Sequence, residues 1–156
     1  MFKEFRGPQF ERETYIGTLA SGEKVIDRKN SHLHDDVKDV LPLLLQKIEA
    51  NGRRFITEVL NTDQAIMTNC VKTNSNDEII FIQRDGRKGP TRFVKNREPE
   101  PCFMAKVILK KADQTPNTYV LITAFAGDAE PEPWDLHKTE RSEYFWSTHA
   151  LILGSD

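Results

Sequence analysis

The side chains of this chain best suited to moving protons or holding a phosphate group are its four histidines and Thr123. His32 and His34 stand just before an apolar segment with helical periodicity. His149 lies in the last apolar segment, whereas His137 has no evident partner and is expected at the surface. An unperturbed imidazole titrates close to neutral pH, so two histidines could serve as general base and general acid. Thr123 interrupts an otherwise apolar run, where its hydroxyl could bind a phosphate oxygen.

Charge is unevenly distributed along the chain. The segment 84–97 is rich in bases and contains a single acid, whereas 127–135 carries acids and no base. Because the formal net charge is only −2, the basic loop predicts one local anionic ligand and not a surface that coats DNA. Arg92 and Lys95 would then hold a phosphate backbone, and Trp146 would contribute to substrate binding. In the other interpretation, the basic charges pair with those of the acidic segment.

Metal-independent cleavage of RNA needs a base that deprotonates the 2′-hydroxyl, an acid for the leaving oxygen, and donors around the phosphorane. In this scheme His34 or His149 acts as the base and the other as the acid, with His32 as the alternative to His34. Thr123 binds a phosphate oxygen. No spacing of cysteine and histidine resembles a zinc site, so we expect no metal and no cofactor.

Length and composition indicate one soluble domain. The chain has 156 residues, 38% of them apolar and 29% charged, which fits a single domain over 1–156, with 1–30 as an N-terminal extension that includes a hairpin and 31–153 as the core. No apolar run approaches the roughly 20 residues of a membrane-spanning helix, and the polar start lacks a signal-peptide core, so we expect a cytoplasmic protein. Cys70 and Cys102 are predicted to be buried free thiols.

The elements that must position these side chains begin with a short hairpin, 14–19 with 24–27, around a connection that contains glycine. Apolar residues at intervals of three and four then predict one amphipathic helix. These residues are Val37, Val40, Leu41, Leu44 and Ile48. Pro42 lies inside the pattern, so the helix should kink there or restart with Pro42 in its first turn.

Strand-like segments fill most of the remaining chain. Two weakly patterned segments lie between 54 and 71, and the first of them could also form a second helix. The final hairpin, 104–109 with 119–125, is rich in β-branched and aromatic residues. The acidic loop follows, and Trp134 is expected to pack down and fix it. The segment 142–152 fits either a closing helix or a final strand.

Several short motifs carry a resemblance to a known family. They are the strand Val-Leu-Ile-Thr-Ala-Phe at 120–125, the Pro-Glu-Pro-Trp loop at 131–134 and the terminal Trp-Ser-Thr-His-Ala-Leu at 146–151. Together with an N-terminal helical part that has a histidine near it, they resemble the nuclease toxins grouped with barnase, EndoU, colicins and RelE. The likeness is greatest to the versions found in phage and polymorphic toxin proteins, and it extends over 27–153.

The resemblance implies a helical part packed on a four- or five-stranded antiparallel sheet, with an RNase or tRNase site on the open sheet face. The patterns themselves predict an α+β fold with a curved antiparallel sheet and one main amphipathic helix. With what the resemblance implies, we expect an N-terminal helical part packed on a curved antiparallel sheet of about four to five strands. Carried over to this sequence, the resemblance makes Thr123 and His149 the active-site set, together with His34 or His32.

The leading hypothesis is therefore a metal-independent, toxin-like ribonuclease that cleaves RNA or tRNA and has an inhibitor or immunity protein as a partner, with no membrane involved. Two alternatives stay open. One is a catalytically inactive phage or immunity-type module that docks a partner through the surface around Trp134. The other is a nucleotide-using transferase whose basic loop holds a diphosphate, although the glycine cluster at 85–90 is better explained as a turn.

Overall fold

The structure is a computed structural model that describes residues 13–28, 32–33 and 35–154. His34, one of the predicted catalytic histidines, lies outside the described residues. The described part contains ten β-strands and only short helices. None of these helices is long and apolar enough to cross a bilayer.

The chain divides into two compact units. The first contains the described residues up to Ile66 together with Phe103–Ala126, and the second contains Met67–Cys102 and the described residues from Gly127 onward. The strands are β1 (Thr14–Thr18), β2 (Lys24–Asp27), β3 (His32–Leu33), β4 (Phe55–Thr68), β5 (Cys70–Lys72), β6 (Ile79–Gln83), β7 (Pro90–Val94), β8 (Glu100–Lys111), β9 (Thr118–Ala126) and β10 (His149–Ile152). The helices are α1 (Asp35–Lys38), α2 (Leu41–Leu45) and α3 (Ser142–Thr148).

In the first unit, a six-stranded sheet is built around β9. Its order is β1-β2-β9-β8-β4, and β3 also pairs with β9. The two predicted hairpins are confirmed, because β1 pairs with β2 and β8 pairs with β9 in antiparallel fashion. However, β2 and β3 both run parallel to β9 and pair with successive stretches of it. The sheet is therefore mixed, and the prediction of an antiparallel sheet of about four to five strands is wrong.

One face of this sheet forms the core of the first unit. Tyr119, Leu109 and Ile56 lie on the neighbouring strands β9, β8 and β4, and each is at most 2% exposed. Helix α2 packs against β1. A Cβ atom on Gly17 of β1 would lie 2.8 Å from Cδ1 of Leu45, so glycine permits this close approach. Burial of each such side chain stabilises the fold by about 1.5–3 kcal/mol.

The predicted amphipathic helix exists only as two short segments, α1 and α2. Its apolar face is confirmed, since all five patterned residues are buried. Pro42 explains the break: it has no N–H for the carbonyl of Lys38, where α1 ends, and α2 restarts with Pro42 in its first turn. The described residues therefore contain no N-terminal helical layer. The α+β prediction is wrong, and the fold is mostly β.

A single long strand replaces most of the two weakly patterned segments between 54 and 71. β4 has 14 residues, so the helix considered for its first half is excluded. In the polar centre of the strand, Asp63 adopts a left-handed φ of 64°, and its N–H donates to Oδ1 of Asn61 at 2.7 Å. Nζ of Lys47 donates to the Asp63 carboxylate at 2.6 Å.

In the second unit, a four-stranded sheet has the order β5-β10-β7-β6. β10 runs antiparallel to β5 and parallel to β7, and β7 runs antiparallel to β6. Val71, Val94, Ala150 and Ile152 form a buried cluster, and Ile79 packs against it. The final segment of the chain therefore forms both of the predicted alternatives, the helix α3 and then the strand β10.

Leu45→Ala should lower the free energy of unfolding by about 2–5 kcal/mol, because Leu45 is fully buried and its truncation leaves a cavity. Leu43 of the same helix is a matched control, since 63% of it is exposed. Leu43→Ala should change the free energy by less than about 0.5 kcal/mol. Urea unfolding followed by circular dichroism measures both values. Equal losses in the two variants would contradict the placement of Leu45 in the core.

Candidate functional site

His149 lies at the junction where α3 ends and β10 begins. It has extended backbone angles, φ −127° and ψ 156°, so the chain leaves the helix at this residue. The last carbonyls of a helix have no main-chain partner within it. Here side chains supply the donors: the Ser147 hydroxyl donates to the carbonyl of Tyr144 at 2.7 Å, and the Thr148 hydroxyl donates to that of Phe145 at 3.0 Å.

The imidazole of His149 is oriented by two contacts at its Nδ1. Its Nδ1 lies 3.0 Å from the carbonyl oxygen of Phe145 and 2.9 Å from the hydroxyl of Thr148. A carbonyl oxygen can only accept, so the contact with Phe145 is a hydrogen bond in the tautomer that carries its proton on Nδ1. The imidazole also stacks on the Phe145 ring, with centroids 3.9 Å apart and an interplanar angle of 8°. In the neutral imidazole this arrangement leaves Nε2 as the proton acceptor.

Arg92 holds the main chain of this junction. Its Nη1 donates to the carbonyl of His149 at 2.9 Å and to the hydroxyl of Thr73 at 3.0 Å. The main-chain N–H of Thr73 in turn donates to the carbonyl of Thr148 at 2.8 Å. Hydrogen bonds from a charged donor are roughly twice as strong as neutral ones. Arg92 is therefore a positioning residue for His149, and its role in holding a phosphate backbone remains a prediction.

Lys72 lies beside His149 on the neighbouring strand. The two residues are directly opposite each other in the antiparallel pair of β5 and β10, so their side chains project from the same face of the sheet. Lys72 is exposed, and an ammonium group there can bind a phosphate oxygen. No sequence pattern indicates Lys72, because only the pairing of β5 with β10 brings it to His149.

No protein-family model, curated protein or solved structure matches this chain. The resemblance to the nuclease toxins therefore remains a prediction. The chemistry of this chain is therefore inferred from the geometry of its own residues, above all at the junction of α3 and β10 around His149.

Two other predicted catalytic residues, His32 and Thr123, lie in the first unit. His32 on β3 is opposite Thr123 on β9 in a parallel pair, so the fold brings these two residues together as strand neighbours. The register between β8 and β9 shifts at Ile122, which is typical of a β-bulge beside Thr123. His149 belongs to the second unit. Among the residues that the structure describes, no group of three or more His, Cys, Asp or Glu side chains is placed to hold a metal ion.

Two further predicted binding residues, Lys95 and Trp146, lie in the second unit. Lys95 is exposed, with its Nζ 3.7 Å from Oε2 of Glu78. Trp146 is only 8% exposed, and its Nε1 donates to the carbonyl of Glu130 at 2.8 Å. The indole of Trp146 thus anchors the acidic loop. Roles in substrate binding remain predictions for both residues. His137 is exposed, as expected.

Glu132 attaches the acidic loop to the basic segment. Its carboxylate accepts hydrogen bonds from Nη2 of Arg84 at 3.2 Å and from the hydroxyl of Thr91 at 3.1 Å. Arg84 also donates to that hydroxyl at 2.9 Å. The charge of Arg84 is therefore paired with the acidic loop, which agrees with the second interpretation of the charge pattern.

Trp134 fixes the acidic loop close to the C-terminal end of the loop. The indole packs directly on Gly89, where a Cβ atom would lie 2.4 Å from the ring. Its Nε1 donates to the carbonyl of Pro90 at 2.9 Å. The prediction that Trp134 packs down and fixes this loop is confirmed. The proline-rich loop is therefore an ordered part of the second unit.

The stability of the protein should depend on the protonation of Glu132. Burial raises the pKa of its carboxyl group above the ordinary value of 4.5, and the bonds from Thr91 and Arg84 offset only part of this effect. The folded state therefore binds more protons than the unfolded state, so stability falls as the pH rises from 4.5 through the raised pKa. Glu132→Gln removes this contribution. The free energy of unfolding of the wild type minus that of Glu132→Gln should therefore decrease as the pH rises from 4 to 7.

Urea unfolding at a series of pH values measures this difference. Glu140→Gln, at an exposed carboxyl group, controls for the general effect of removing one negative charge. A difference between the wild type and Glu132→Gln that does not change with pH would contradict the buried position of Glu132.

Cys70 should react slowly with thiol reagents in the folded protein. Neither cysteine forms a disulfide bond within the described residues, and both are partly buried. Burial, with the charges of Asp128 and Glu132, raises the pKa of the Cys70 thiol to about 12, so its thiolate fraction at pH 8 is roughly a thousandfold below that of an ordinary thiol. In the Cys102→Ser variant, Cys70 should react with Ellman's reagent at least about 100-fold more slowly than after unfolding in guanidinium. Equal rates in the two states would contradict this prediction.

Proposed function

We propose that this protein is a metal-independent ribonuclease whose general base is His149. The observation that carries the proposal is the 3.0 Å approach of Nδ1 to the carbonyl of Phe145, which leaves Nε2 as a proton acceptor. A histidine base whose other ring nitrogen is fixed by an acceptor is held in the tautomer and orientation that proton abstraction requires. Lys72, on the same face of the sheet, adds a cation for the phosphate.

In the proposed reaction, Nε2 of His149 takes the proton of an RNA 2′-hydroxyl. The 2′-oxygen then forms a bond to phosphorus, and the bond between phosphorus and the 5′-oxygen breaks. That oxygen takes a proton from a water molecule, and the hydroxide left behind takes the proton from Nε2, which restores the base. The products are a 2′,3′-cyclic phosphate and a free 5′-hydroxyl. The ammonium of Lys72 offsets the negative charge that develops on the phosphorane. Arg92 contributes to this reaction by holding the main chain at His149.

Other parts of the ribonuclease hypothesis remain proposals. The roles predicted for His34 or His32 as the general acid, and for Thr123 as a phosphate ligand, remain predictions, and the reaction described above uses none of these residues. The substrate would be RNA or tRNA in the cytoplasm, and an inhibitor protein would be a partner.

A second candidate function is a docking module without catalysis. Leu136 is 91% exposed and comes two residues after Trp134, which anchors the acidic loop. A large apolar side chain presented on a fixed loop suits contact with a protein partner. In that case the protein would bind its partner and would cleave no RNA.

His149→Ala should lower the rate of RNA cleavage by at least about 100-fold, because it removes the base. The purified protein is incubated in EDTA with total RNA and with a tRNA pool, and the fragments are resolved on denaturing gels. His137→Ala is the matched control, since His137 is an exposed histidine outside the junction, and it should keep full activity. Circular dichroism checks that both variants retain the fold.

Three results would count against this proposal. Full cleavage activity in the His149→Ala variant would contradict the proposed role of His149 as the base. Cleavage by the wild type only after a divalent metal is added would contradict metal independence. No cleavage by the wild type under either condition would favour the docking module.

A further inference from the structure

Five residues form one continuous row across the sheet of the first unit. Tyr15 is opposite Ile26, Ile26 is opposite Val120, and Val120 is opposite Lys110. The row continues to Phe55 on β4, which neighbours β8, because Nζ of Lys110 lies 5.9 Å from the centroid of the Phe55 ring. Residues directly opposite each other share a face of the sheet. The row crosses five strands, so it is about 19 Å long.

This row lies on the face of the sheet that points away from the core. Side chains alternate between the two faces along a strand, and the buried residues Tyr119, Leu109 and Ile56 each follow or precede a member of the row. At the two ends of the row, Tyr15 is 59% exposed and Phe55 is 58% exposed. The row therefore presents two aromatic rings to solvent, with a partly buried apolar centre between them.

Cationic side chains accompany the row. The guanidinium of Arg54 and the ammonium of Lys110 each lie 5.9 Å from the Phe55 centroid, at the outer limit of a cation–π contact, so neither covers the ring tightly. Lys24 is exposed on the same face of β2. Within the described part of the chain, Lys24 and Lys110 form no ion pair, whereas Arg54 pairs with Asp113 at 3.4 Å.

We propose that this row binds single-stranded RNA, with bases stacked on Tyr15 and Phe55 and phosphates held by Lys24 and Lys110. Aromatic side chains next to cations bind single strands, because every base has a π face and every linkage carries a negative charge. Duplex RNA keeps its base faces inside the stack and should bind more weakly. This inference rests on the proposed function and names its substrate class as single-stranded RNA.

Binding is measured on the His149→Ala protein, in which the proposed cleavage is absent, by the fluorescence anisotropy of a fluorescein-labelled 12-nucleotide RNA. Phe55→Leu and Tyr15→Leu should each raise Kd by about tenfold, as expected for the loss of one stacked base. Phe81→Leu is the matched control, because Phe81 is 62% exposed in the second unit, and it should leave Kd unchanged. Lys110→Ala should lower the slope of log Kd against log salt by roughly one.

Several results would overturn the inference. These are equal Kd values for the parent and both aromatic variants, no binding of the RNA by the parent, and equal affinity for a duplex of the same length. The inference would also be overturned if the protein bound no RNA but captured a protein partner, and if that capture depended on Phe55 and Tyr15. The row would then be a protein-docking face.

The two proposals can fail separately. RNA binding that depends on Tyr15 and Phe55, with no cleavage by the wild type, would support RNA binding by the row and contradict the proposed ribonuclease activity. Cleavage by the wild type, together with equal Kd values for the parent and both aromatic variants, would support the ribonuclease and overturn the row. Thermal unfolding of each variant confirms that these exposed positions leave the fold intact.

Discussion

The first unit depends on strand β9, because β9 pairs with other strands along both of its edges. β8 pairs along one edge, while β2 and β3 pair along the other. A strand in this position must donate all its N–H groups to neighbours, so it excludes proline, and 118–126 contains neither proline nor a charged residue. Its inward side chains Tyr119, Leu121 and Ala124 are at most 2% exposed. The hydroxyl of Tyr119 also donates to the carbonyl of Arg53, just before β4 begins.

In the second unit, the corresponding constraint is the set of hydrogen bonds around the end of α3. The helix stops at a residue whose ring is held by the preceding turn and whose carbonyl is held by Arg92. A guanidinium that satisfies a main-chain carbonyl and a neighbouring hydroxyl cannot move freely toward a ligand. The consequence is that Arg92 orients His149, while Lys72 beside it stays exposed. A proton acceptor and a cation thus come from two strands that are distant in sequence and adjacent in the sheet.

Charge in this protein serves two purposes that composition does not separate. Arg84 with Glu132 and Arg97 with Asp77 are ion pairs that fasten loops within the second unit. The pair of Arg84 and Glu132 carries a cost. Burial raises the pKa of Glu132, and the buried Nε of Arg84 has no acceptor among the residues that the structure describes. The exposed cations that do not fasten loops, such as Lys72, are the ones available for an anionic ligand. The net charge of −2 therefore gives little information about where such a ligand would bind.

Local patterns determined the two hairpins, the apolar face of residues 37–48 and the restart at Pro42, because each depends on neighbours in the chain. The sequence also indicated that Trp134 would fix its loop, but its contacts, Gly89 and Pro90, are distant in the chain. The parallel pairing of β2 and β3 with β9, and of β10 with β7, was decided only by the tertiary structure, as was the mostly β fold. Sequence likewise selected His149 and Thr123 as candidates. It did not place Lys72 beside His149 or His32 opposite Thr123. Strand pairing is set by burial and hydrogen bonds between segments far apart in the chain, and such bonds leave no local periodicity to detect.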